Sequence, residues 1–377
     1  MIDNPFITKG YAGPEYFCDR EKETQTLLQN ISGGADTVLV SPRRYGKSGL
    51  IRHTFGRLKE LRPEYNTLYV DISATSSLNS FLNELSNSIL QAFPEKTPLG
   101  KRFLSFLKQL RPFFRLNDRT GAMEVHLELA SQTQKESTLK QMLEFLENAS
   151  APVVFAIDEF QQITEYPEKN VEALLRSQIQ FMQNVRFIFS GSRRRMMVSM
   201  FNDAARPFYA SCTSMHLKKL DPPAYGVFIR KQFNDYGRDI SDDALKLVLD
   251  WTRCHTYYTQ RLCRDLFNSG VREITTDSVH DACSTILEME EDNYILLKEI
   301  LPTQQWRLLE GIAKEQQVQQ ITAANFISKH KIGSAASALR AAESLENKEL
   351  LLKSPSKDKT TCEVYDVFFS RWLEQLY

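Results

Sequence analysis

Residues 37–51 decide the fold, and they read TVLVSPRRYGKSGLI. The first four residues are apolar or β-branched and predict a buried strand, and the residues from Lys47 onward predict a helix. A turn between a strand and a helix can surround phosphate oxygens with backbone N–H groups, at the positive end of the helix dipole. Lys47 would add a charge, and the Ser48 hydroxyl could ligate Mg²⁺. We predict a nucleotide-binding loop made of Ser41, Pro42, Arg43, Arg44, Tyr45, Gly46, Lys47, Ser48 and Gly49.

A second interpretation of this loop stays open at this point. Gly-Lys-Ser also occurs by chance at the start of ordinary helices, and Ser41 stands where such loops usually have their first glycine. A serine there would narrow the approach of the backbone to phosphate if the position needs a positive φ. Other motifs in the chain are needed to distinguish a phosphate-binding loop from an ordinary helix start.

The composition sets few limits on function. The chain has 377 residues, which favours two or three domains, and its 47 Lys and Arg balance its 47 Asp and Glu. No overall charge therefore calls for a nucleic acid or a membrane as partner. The N-terminus lacks the pattern of a signal peptide, no apolar run reaches the length of a membrane span, and the six cysteines are scattered. These features predict a cytoplasmic protein with reduced thiols and no zinc site.

Strands and helices alternate through the first half of the chain. Apolar runs at residues 67–72, 153–157 and 185–189 predict further strands, and helical stripes lie between them. This pattern predicts an α/β fold with a doubly wound parallel sheet, in which residues 99–135 form an insertion. We assign residues 1–215 to a P-loop core.

The second half of the chain is predicted to be mostly helical. Residues 222 and 223 are both proline and mark a boundary, and nearly everything from residue 224 to 300 has helical spacing. The tail contains three helical stretches followed by two short alternating segments, the pattern of a winged helix. We therefore predict an all-α lid domain at residues 216–300 and a winged-helix domain at residues 301–377.

An acidic pair follows the strand at residues 153–157. Asp158 comes at the carboxyl end of that strand, where open parallel sheets bind ligands, and we predict that it holds Mg²⁺ together with Ser48. Glu159 could polarise the water that attacks the γ-phosphate. An Asp-Glu pair by itself is more often a helix cap. Because the chain also has the loop at residues 41–48, the metal role for Asp158 and the catalytic role for Glu159 are favoured.

Polar residues also follow the strand at residues 185–189. Ser190 and Ser192 could contact the γ-phosphate or the water, and Arg193 could stabilise the charge on the leaving phosphate. With Glu159 and Lys47, we include Ser192 and Arg193 in the predicted catalytic set. Arg206 could serve as an arginine finger toward a neighbouring subunit or have a structural role.

Five segments match the motifs of a known family: residues 4–6 (NPF), 17–23 (FCDREKE), 42–48 (PRRYGKS), 157–161 (IDEFQ) and 190–193 (SGSR). They resemble the archaeal-type P-loop ATPases of the STAND branch of AAA+ proteins. That family also occurs in bacteria and is related to origin-recognition ATPases and to the regulatory NTPases of immune receptors. The resemblance spans nearly the whole chain.

The resemblance implies ATP or ADP as the ligand, with Phe17 and Arg20 beside the adenine. It also implies a helical lid over the nucleotide, in which His255 either faces the ligand or is an ordinary core or surface histidine. Two departures concern glycines. Asp19 stands where the family usually has glycine, and residues 253–256 read RCHT where the lid motif usually reads Gly-x-Pro or Gly-His-Pro.

The favoured hypothesis is a slow, Mg²⁺-dependent ATPase switch that converts ATP and water into ADP and phosphate. Its nucleotide state would be relayed through the lid to the winged helix. The alternative is a DNA-binding winged-helix protein with a mainly structural nucleotide, and a scaffold without turnover is a third possibility. The predicted recognition helix at residues 334–347 offers the cations Arg340 and Lys348 but also the acids Glu343, Glu346 and Glu349. This charge distribution is a poor match for the phosphate backbone of DNA. A protein partner or self-association is therefore favoured over DNA.

Overall fold

The computed structural model describes residues 2–116, 123–355 and 360–375. Its contacts divide the chain into two compact units, one of Lys9–Lys219 and one formed by Met1–Thr8 together with Leu220–Tyr377. The predicted division into three domains stays a prediction. Within the described residues, no helix combines the length and apolar character that crossing a membrane requires.

The first unit is built around a parallel sheet. Its strands, in chain order, are β1 (Thr37–Val40), β2 (Asn66–Asp71), β3 (Phe113–Leu116), β4 (Met123–His126), β5 (Val153–Asp158), β6 (Val185–Gly191) and β7 (Thr213–His216). Five of them pair in parallel in the order β2-β5-β6-β1-β7, which confirms the predicted doubly wound sheet. The carboxyl ends of β1, β5 and β6 therefore lie at one edge of the sheet.

Helices cover both faces of this sheet. They are α1 (Glu21–Ser32), α2 (Lys47–Leu61), α3 (Leu78–Ala92), α4 (Pro98–Gln109), α5 (Gln132–Glu147), α6 (Val171–Ile179) and α7 (Arg194–Asn202), with short 3₁₀ helices at Pro14–Tyr16 and Phe160–Glu165. Every residue of β5 is buried, and its alternate side chains enter two different core clusters. Because successive side chains of a strand point to opposite faces, a continuous apolar run is what a strand covered on both faces requires.

Five phenylalanines pack together behind the carboxyl end of β6. Their ring centroids lie 4.5 to 6.0 Å apart, and the members are Phe160, Phe187, Phe189, Phe201 and Phe208. All five are buried. This aromatic cluster fixes the 3₁₀ helix that follows β5 against β6 and α7.

The predicted insertion forms α4 and an antiparallel hairpin of β3 and β4. Asparagines on α3 hold β4: Asn87 bonds both the N–H and the carbonyl of Val125, and Asn79 and Asn83 bond the backbone of Leu127. These side chains replace a neighbouring strand on that edge of the hairpin. The asparagines recur every four residues, so they share one face of the helix.

The second unit is mainly helical. Its elements are α8 (Pro222–Asp235), β8 (Asp239–Ile240), α9 (Asp242–Trp251), α10 (Thr256–Asn268), β9 (Glu273–Ile274), α11 (Thr276–Ile300), α12 (Thr303–Lys314), α13 (Ala324–Lys329), α14 (Ala335–Asn347), β10 (Leu351–Pro355), β11 (Thr360–Val364) and α15 (Val367–Gln375). The three helices and hairpin from α12 to β11 confirm the predicted winged-helix pattern. The prediction that nearly everything at residues 224–300 is helical, with short turns at Gly237 and Gly270, did not include β8 and β9, which follow these two turns. A strand of two residues is too short to show an alternating pattern.

The aromatic cluster generates a stability prediction. We expect Phe189→Ala to lower the free energy of unfolding by about 3 to 5 kcal/mol, because it leaves a cavity among rigid rings. Phe181→Ala is the control, because that side chain is 76% exposed and its removal should change stability by less than about 0.5 kcal/mol. Urea unfolding followed by circular dichroism measures both. Equal losses for the two variants would contradict the role given to the cluster.

Candidate nucleotide-binding site

The predicted loop lies between β1 and α2. Gly46 precedes the first helical residue with a φ of 91°, and Arg44 has a φ of 65°. Only glycine enters such a conformation freely, so Gly46 suits the turn that opens the backbone toward a ligand. Ser41 is buried and is not among the residues with positive φ. A serine therefore replaces the usual glycine at this position without backbone strain.

Lys47 is folded over the loop. Its ammonium donates hydrogen bonds to the carbonyl oxygens of Ser41 at 3.1 Å and Pro42 at 3.3 Å, and the residue is buried. A buried ammonium is stable only when polar groups satisfy it. The loop thus surrounds the ammonium group of Lys47, which could bind an anion instead of the two carbonyl oxygens.

Asp158, at the end of β5, accepts hydrogen bonds from two hydroxyl groups. Its Oδ2 accepts from Ser48 Oγ at 2.5 Å and from the Tyr69 hydroxyl at 2.6 Å. Burial pushes the pKa of Asp158 up, but these two bonds, the nearby Ser190 hydroxyl and the charge of Lys47 together outweigh it and hold the pKa below its ordinary value. Asp158 is therefore an ionised carboxylate near neutral pH.

The oxygens of Ser48 and Asp158 fit a magnesium ion. Mg²⁺ prefers oxygen ligands and is usually held by one or two carboxylates together with substrate phosphates. No group of three or more His, Cys, Asp and Glu side chains converges to hold a metal in the part of the chain that the structure describes. A site of this composition suits an ion that arrives with a nucleotide.

Glu159 is fixed by neighbours at the end of β6. Its Oε2 accepts from Ser192 Oγ at 2.6 Å, from the Ser192 N–H at 3.3 Å and from Gln161 Nε2 at 2.6 Å. The backbone of Glu159 is left-handed, with φ 56° and ψ 41°. A Cβ on Gly191 would come within 2.3 Å of Gln161 Oε1, so the glycine leaves room for this arrangement.

The other residues after β6 have different partners. The Ser190 hydroxyl is buried and has no hydrogen-bond partner within normal distance and angle limits among the described residues. Arg193 pairs with Glu165 at 3.0 Å on the surface. Arg206 pairs with Glu172 at 2.6 Å, which favours the structural role over the arginine finger for this residue.

Aromatic residues lie beside the first turns of α2. Phe17 stacks on His53 with ring centroids 4.5 Å apart, and the Tyr11 hydroxyl bonds His53 Nδ1 at 2.9 Å. A Cβ on Gly49 would lie 3.3 Å from the Phe17 ring, so glycine lets this ring approach the helix. Burial and the charge of Arg57 lower the pKa of His53, which keeps its imidazole neutral.

Arg20 is buried, and its guanidinium bonds protein groups. It donates to Glu23 at 2.8 Å, to the carbonyl of Tyr45 in the loop at 3.3 Å and to the carbonyl of Lys218 at 2.7 Å. Asp19 and Arg20 both have left-handed backbones, with φ 51° and 74°. The family's usual glycine at position 19 thus corresponds to a position that needs positive φ, which aspartate tolerates better than most residues.

His255 lies in the second unit, where its Nδ1 accepts from the Tyr257 N–H at 3.3 Å and caps α10. Its role toward a nucleotide stays a prediction. Arg253 and Cys254, just before it, both have a φ of 53°. A left-handed backbone costs an ordinary residue about 1 to 2 kcal/mol. Arg253 donates to Ser370 at 3.0 Å and Glu374 at 2.7 Å on α15, which holds this turn in place.

The sequence alone did not reveal three of these side chains. Tyr69 and Gln161 bind the two acidic residues of the site, and His53 stacks on Phe17. Tyr69 lies inside a strand without a recognisable motif, and its contact with Asp158 depends on the parallel register of β2 and β5. Of the three, only Gln161 had a signal in the sequence, because it ends the matched segment at residues 157–161.

Comparisons with known proteins agree with the fold. A family model described as an AAA domain matches residues 32–196, and one described as a probable winged helix domain matches residues 292–375. No curated protein sequence matches the chain.

Several solved structures share the fold. A Walker-type ATPase of Pyrococcus abyssi is 17% identical over 98% of this chain and 99% of its own, with a TM-score of 0.67. The ORC2 protein of Aeropyrum pernix is 15% identical over 98% and 95%, with a TM-score of 0.60. The ORC1 protein of the same organism, solved in complex with DNA, is 12% identical over 96% and 94%, with a TM-score of 0.52. The chain thus joins an AAA-type P-loop domain to a C-terminal winged-helix domain.

Proposed function

We propose that this chain binds ATP together with Mg²⁺ and hydrolyses it slowly, as a molecular switch. The observation that carries the proposal is the bond between Ser48 and Asp158, which joins the phosphate loop to the acid of a neighbouring strand. An isolated Gly-Lys-Ser sequence would not need such a partner. The assignment to the STAND branch rests on the sequence motifs alone.

Phosphate binding would fall to the loop and Lys47. The ammonium of Lys47 would exchange its bonds to the Ser41 and Pro42 carbonyls for bonds to phosphate oxygens. Hydrogen bonds from an ammonium group to anionic phosphate oxygens are stronger than those from the same group to neutral carbonyl oxygens. Arg43 and Arg44 are exposed within the same loop and would add positive charge near the phosphates.

Ser48 and Asp158 would hold Mg²⁺, and Tyr69 would orient the carboxylate. The ion, when bound, neutralises charge on the β- and γ-phosphates. The guanidinium of Arg52 lies 4.3 Å from the centre of the Tyr69 ring, so the ring that carries the donor is itself fixed. Orientation by outer partners is a general requirement of metal sites.

Glu159 would align the attacking water and accept its proton. All three donors reach Oε2, and no hydrogen bond to Oε1 occurs among the described residues, so Oε1 is the oxygen available for water. Ser192 and Arg193 are the weaker members of the predicted catalytic set. Ser192 is engaged by Glu159 and Arg193 by Glu165, which supports slow turnover.

A relay from the lid to the winged-helix domain has a candidate path in the second unit. Besides the bonds of Arg253, Arg371 on α15 donates to the carbonyls of Trp251 and Asp250 at 2.9 Å each. The turn between α9 and α10 is therefore tied to the last helix. The proposal that nucleotide acts on this turn rests on the family resemblance at His255.

A protein partner for the winged helix is favoured over duplex DNA. The exposed residues of α14 are Ala335, Ala336, Leu339, Arg340, Glu343 and Asn347, with Leu339 55% exposed. One cation beside one anion gives little attraction for a phosphate backbone. DNA binding by the winged helix remains the alternative, because the structurally similar A. pernix ORC1 protein was solved in complex with DNA.

The loop and the acid have separable tests. We expect Lys47→Ala to abolish ATP binding, because it removes the charge that the loop surrounds, and Glu159→Gln to keep binding but slow phosphate release about 10²- to 10⁴-fold. Calorimetry and a phosphate-release assay measure the two effects. Lys59→Ala and Glu144→Gln, both exposed, are the controls. If Lys47→Ala binds ATP as tightly as the unmodified chain, the loop is not the phosphate-binding site. If Glu159→Gln releases phosphate as fast as the unmodified chain, Glu159 does not align the water.

Tyr69 has a test of its own. In Tyr69→Phe we expect the Mg²⁺ concentration for half-maximal hydrolysis to rise about 10-fold, because a missing outer partner weakens metal sites by that order. The lost donor also raises the pKa of Asp158, so activity should begin to fall at a higher pH on the acid side. Tyr209→Phe, at an exposed tyrosine, is the control. An unchanged Mg²⁺ dependence would contradict the role of Tyr69.

The winged helix can be tested with duplex DNA. At physiological salt we expect only non-specific binding, with a Kd no tighter than about 10⁻⁶ M, and no change in Arg340→Gln. Fluorescence anisotropy with a labelled duplex measures this. Tighter binding that Arg340→Gln weakens would favour the DNA-binding alternative.

A further inference from the structure

The insertion before β5 concentrates positive charge in a chain of zero formal charge. Residues 96–116, which we call the basic insertion, contain no Asp or Glu. Their cations are Lys96, Lys101, Arg102, Lys108, Arg111 and Arg115. All six are on exposed or partly exposed positions. A local excess of this kind attracts polyanions even when the whole chain is neutral.

Large apolar side chains are exposed among these cations. Phe113 is 56% exposed, Phe114 44% and Leu116 69%. The insertion does have a core, because Phe103 and Leu107 of α4 and Val125 of β4 are fully buried. The strand β3 therefore leaves its side chains in solvent although the same insertion buries apolar groups elsewhere, and exposed aromatic patches of this kind commonly mark binding surfaces.

The two edges of the hairpin differ. The asparagines of α3 occupy the edge of β4, as described above, while β3 pairs only with β4 in the part of the chain that the structure describes. The hairpin is thus anchored on one side and presents Phe113, Arg115 and their backbone on the other. Since alternate residues share a face, Phe113 and Arg115 lie side by side.

We propose that the basic insertion is a binding site for single-stranded nucleic acid, in which Phe113 and Phe114, on opposite faces of the edge strand β3, each stack on a base and Arg111, Arg115 and Lys108 contact phosphates. Proteins that bind single strands combine a positive surface with aromatic platforms, and unpaired bases offer flat faces that a duplex hides. Lys101 and Arg102 on α4 extend the positive surface.

The charge distribution favours this ligand over an apolar one. Glu124 lies opposite Arg115 in the strand register and 3.7 Å from His126, and the charge of Glu124 also reaches Glu84 of α3, so carboxylates border the patch. The six cations of the basic insertion outnumber these two carboxylates. A purely apolar partner would gain nothing from these cations and would have to desolvate them, whereas a polyanion with aromatic bases uses both features.

The test uses the full chain and a fluorescein-labelled thymidine oligomer of about 20 nucleotides, with anisotropy measured from about 50 to 200 mM salt. We expect R111Q/R115Q to weaken binding about 10-fold and to lower the salt slope by about 1.4, because each lost single-strand phosphate contact removes about 0.7. We expect F113A/F114A to weaken binding at least about 5-fold with an unchanged slope.

Matched controls isolate the site. R57Q removes an exposed arginine of α2 and F181A removes a phenylalanine that is 76% exposed, so both should bind like the unmodified chain. R340Q tests whether the winged helix contributes instead. Unchanged urea unfolding and phosphate release in the hairpin variants exclude misfolding, and unchanged oligomer binding in Lys47→Ala separates this site from the proposed ATPase function.

Three results would overturn the proposal. The first is equal affinity of the hairpin variants and the unmodified chain for the oligomer. The second is tighter binding to a duplex of the same length than to the single strand. The third is displacement of the oligomer by poly-glutamate as effectively as by unlabelled oligomer at equal charge, which would assign the surface to an acidic peptide.

Discussion

The carboxylate of Asp158 is the point on which the site depends. It accepts hydrogen bonds from Ser48 at the start of α2 and from Tyr69 in β2, so one buried anion joins three elements that are far apart in sequence. A buried carboxylate is stable only with such donors. The parallel order of the sheet makes this possible, because it brings the carboxyl ends of β1, β5 and β6 to the same edge.

Left-handed backbone recurs at the positions that shape the site and its surroundings. Asp19, Gly46 and Glu159 adopt it in the first unit and Arg253 in the second. Asp19 stands where the resembling family usually has glycine, and Arg253 lies in the segment 253–256 that departs from the family's lid motif. The chain accommodates these two left-handed positions differently: aspartate has a small polar side chain that suits this conformation, and Arg253 is anchored to α15 by hydrogen bonds. Strain of this kind persists only where the surroundings enforce it.

Charge is arranged locally in a chain with no net charge. The helix α14 of the winged-helix domain exposes both Arg340 and Glu343, whereas the basic insertion contains no Asp or Glu. The two surfaces therefore suit different partners, and the element whose class is best known for DNA contacts is the less suited of the two to a polyanion. Fold class alone does not assign a partner, because partners are recognised by side chains.

The sequence by itself determined the loop, the strand ending in Asp158 and the winged-helix pattern, because each rests on residues that are neighbours in the chain. The sequence also suggested that Ser41 could narrow the approach to phosphate. This does not apply, because Ser41 does not adopt a positive φ. Only the tertiary structure brought Tyr69 to Asp158, turned Ser192 and Gln161 toward Glu159 and linked Arg20 to both Tyr45 and Lys218. These contacts depend on strand register and on the path of separate loops, which no local pattern encodes.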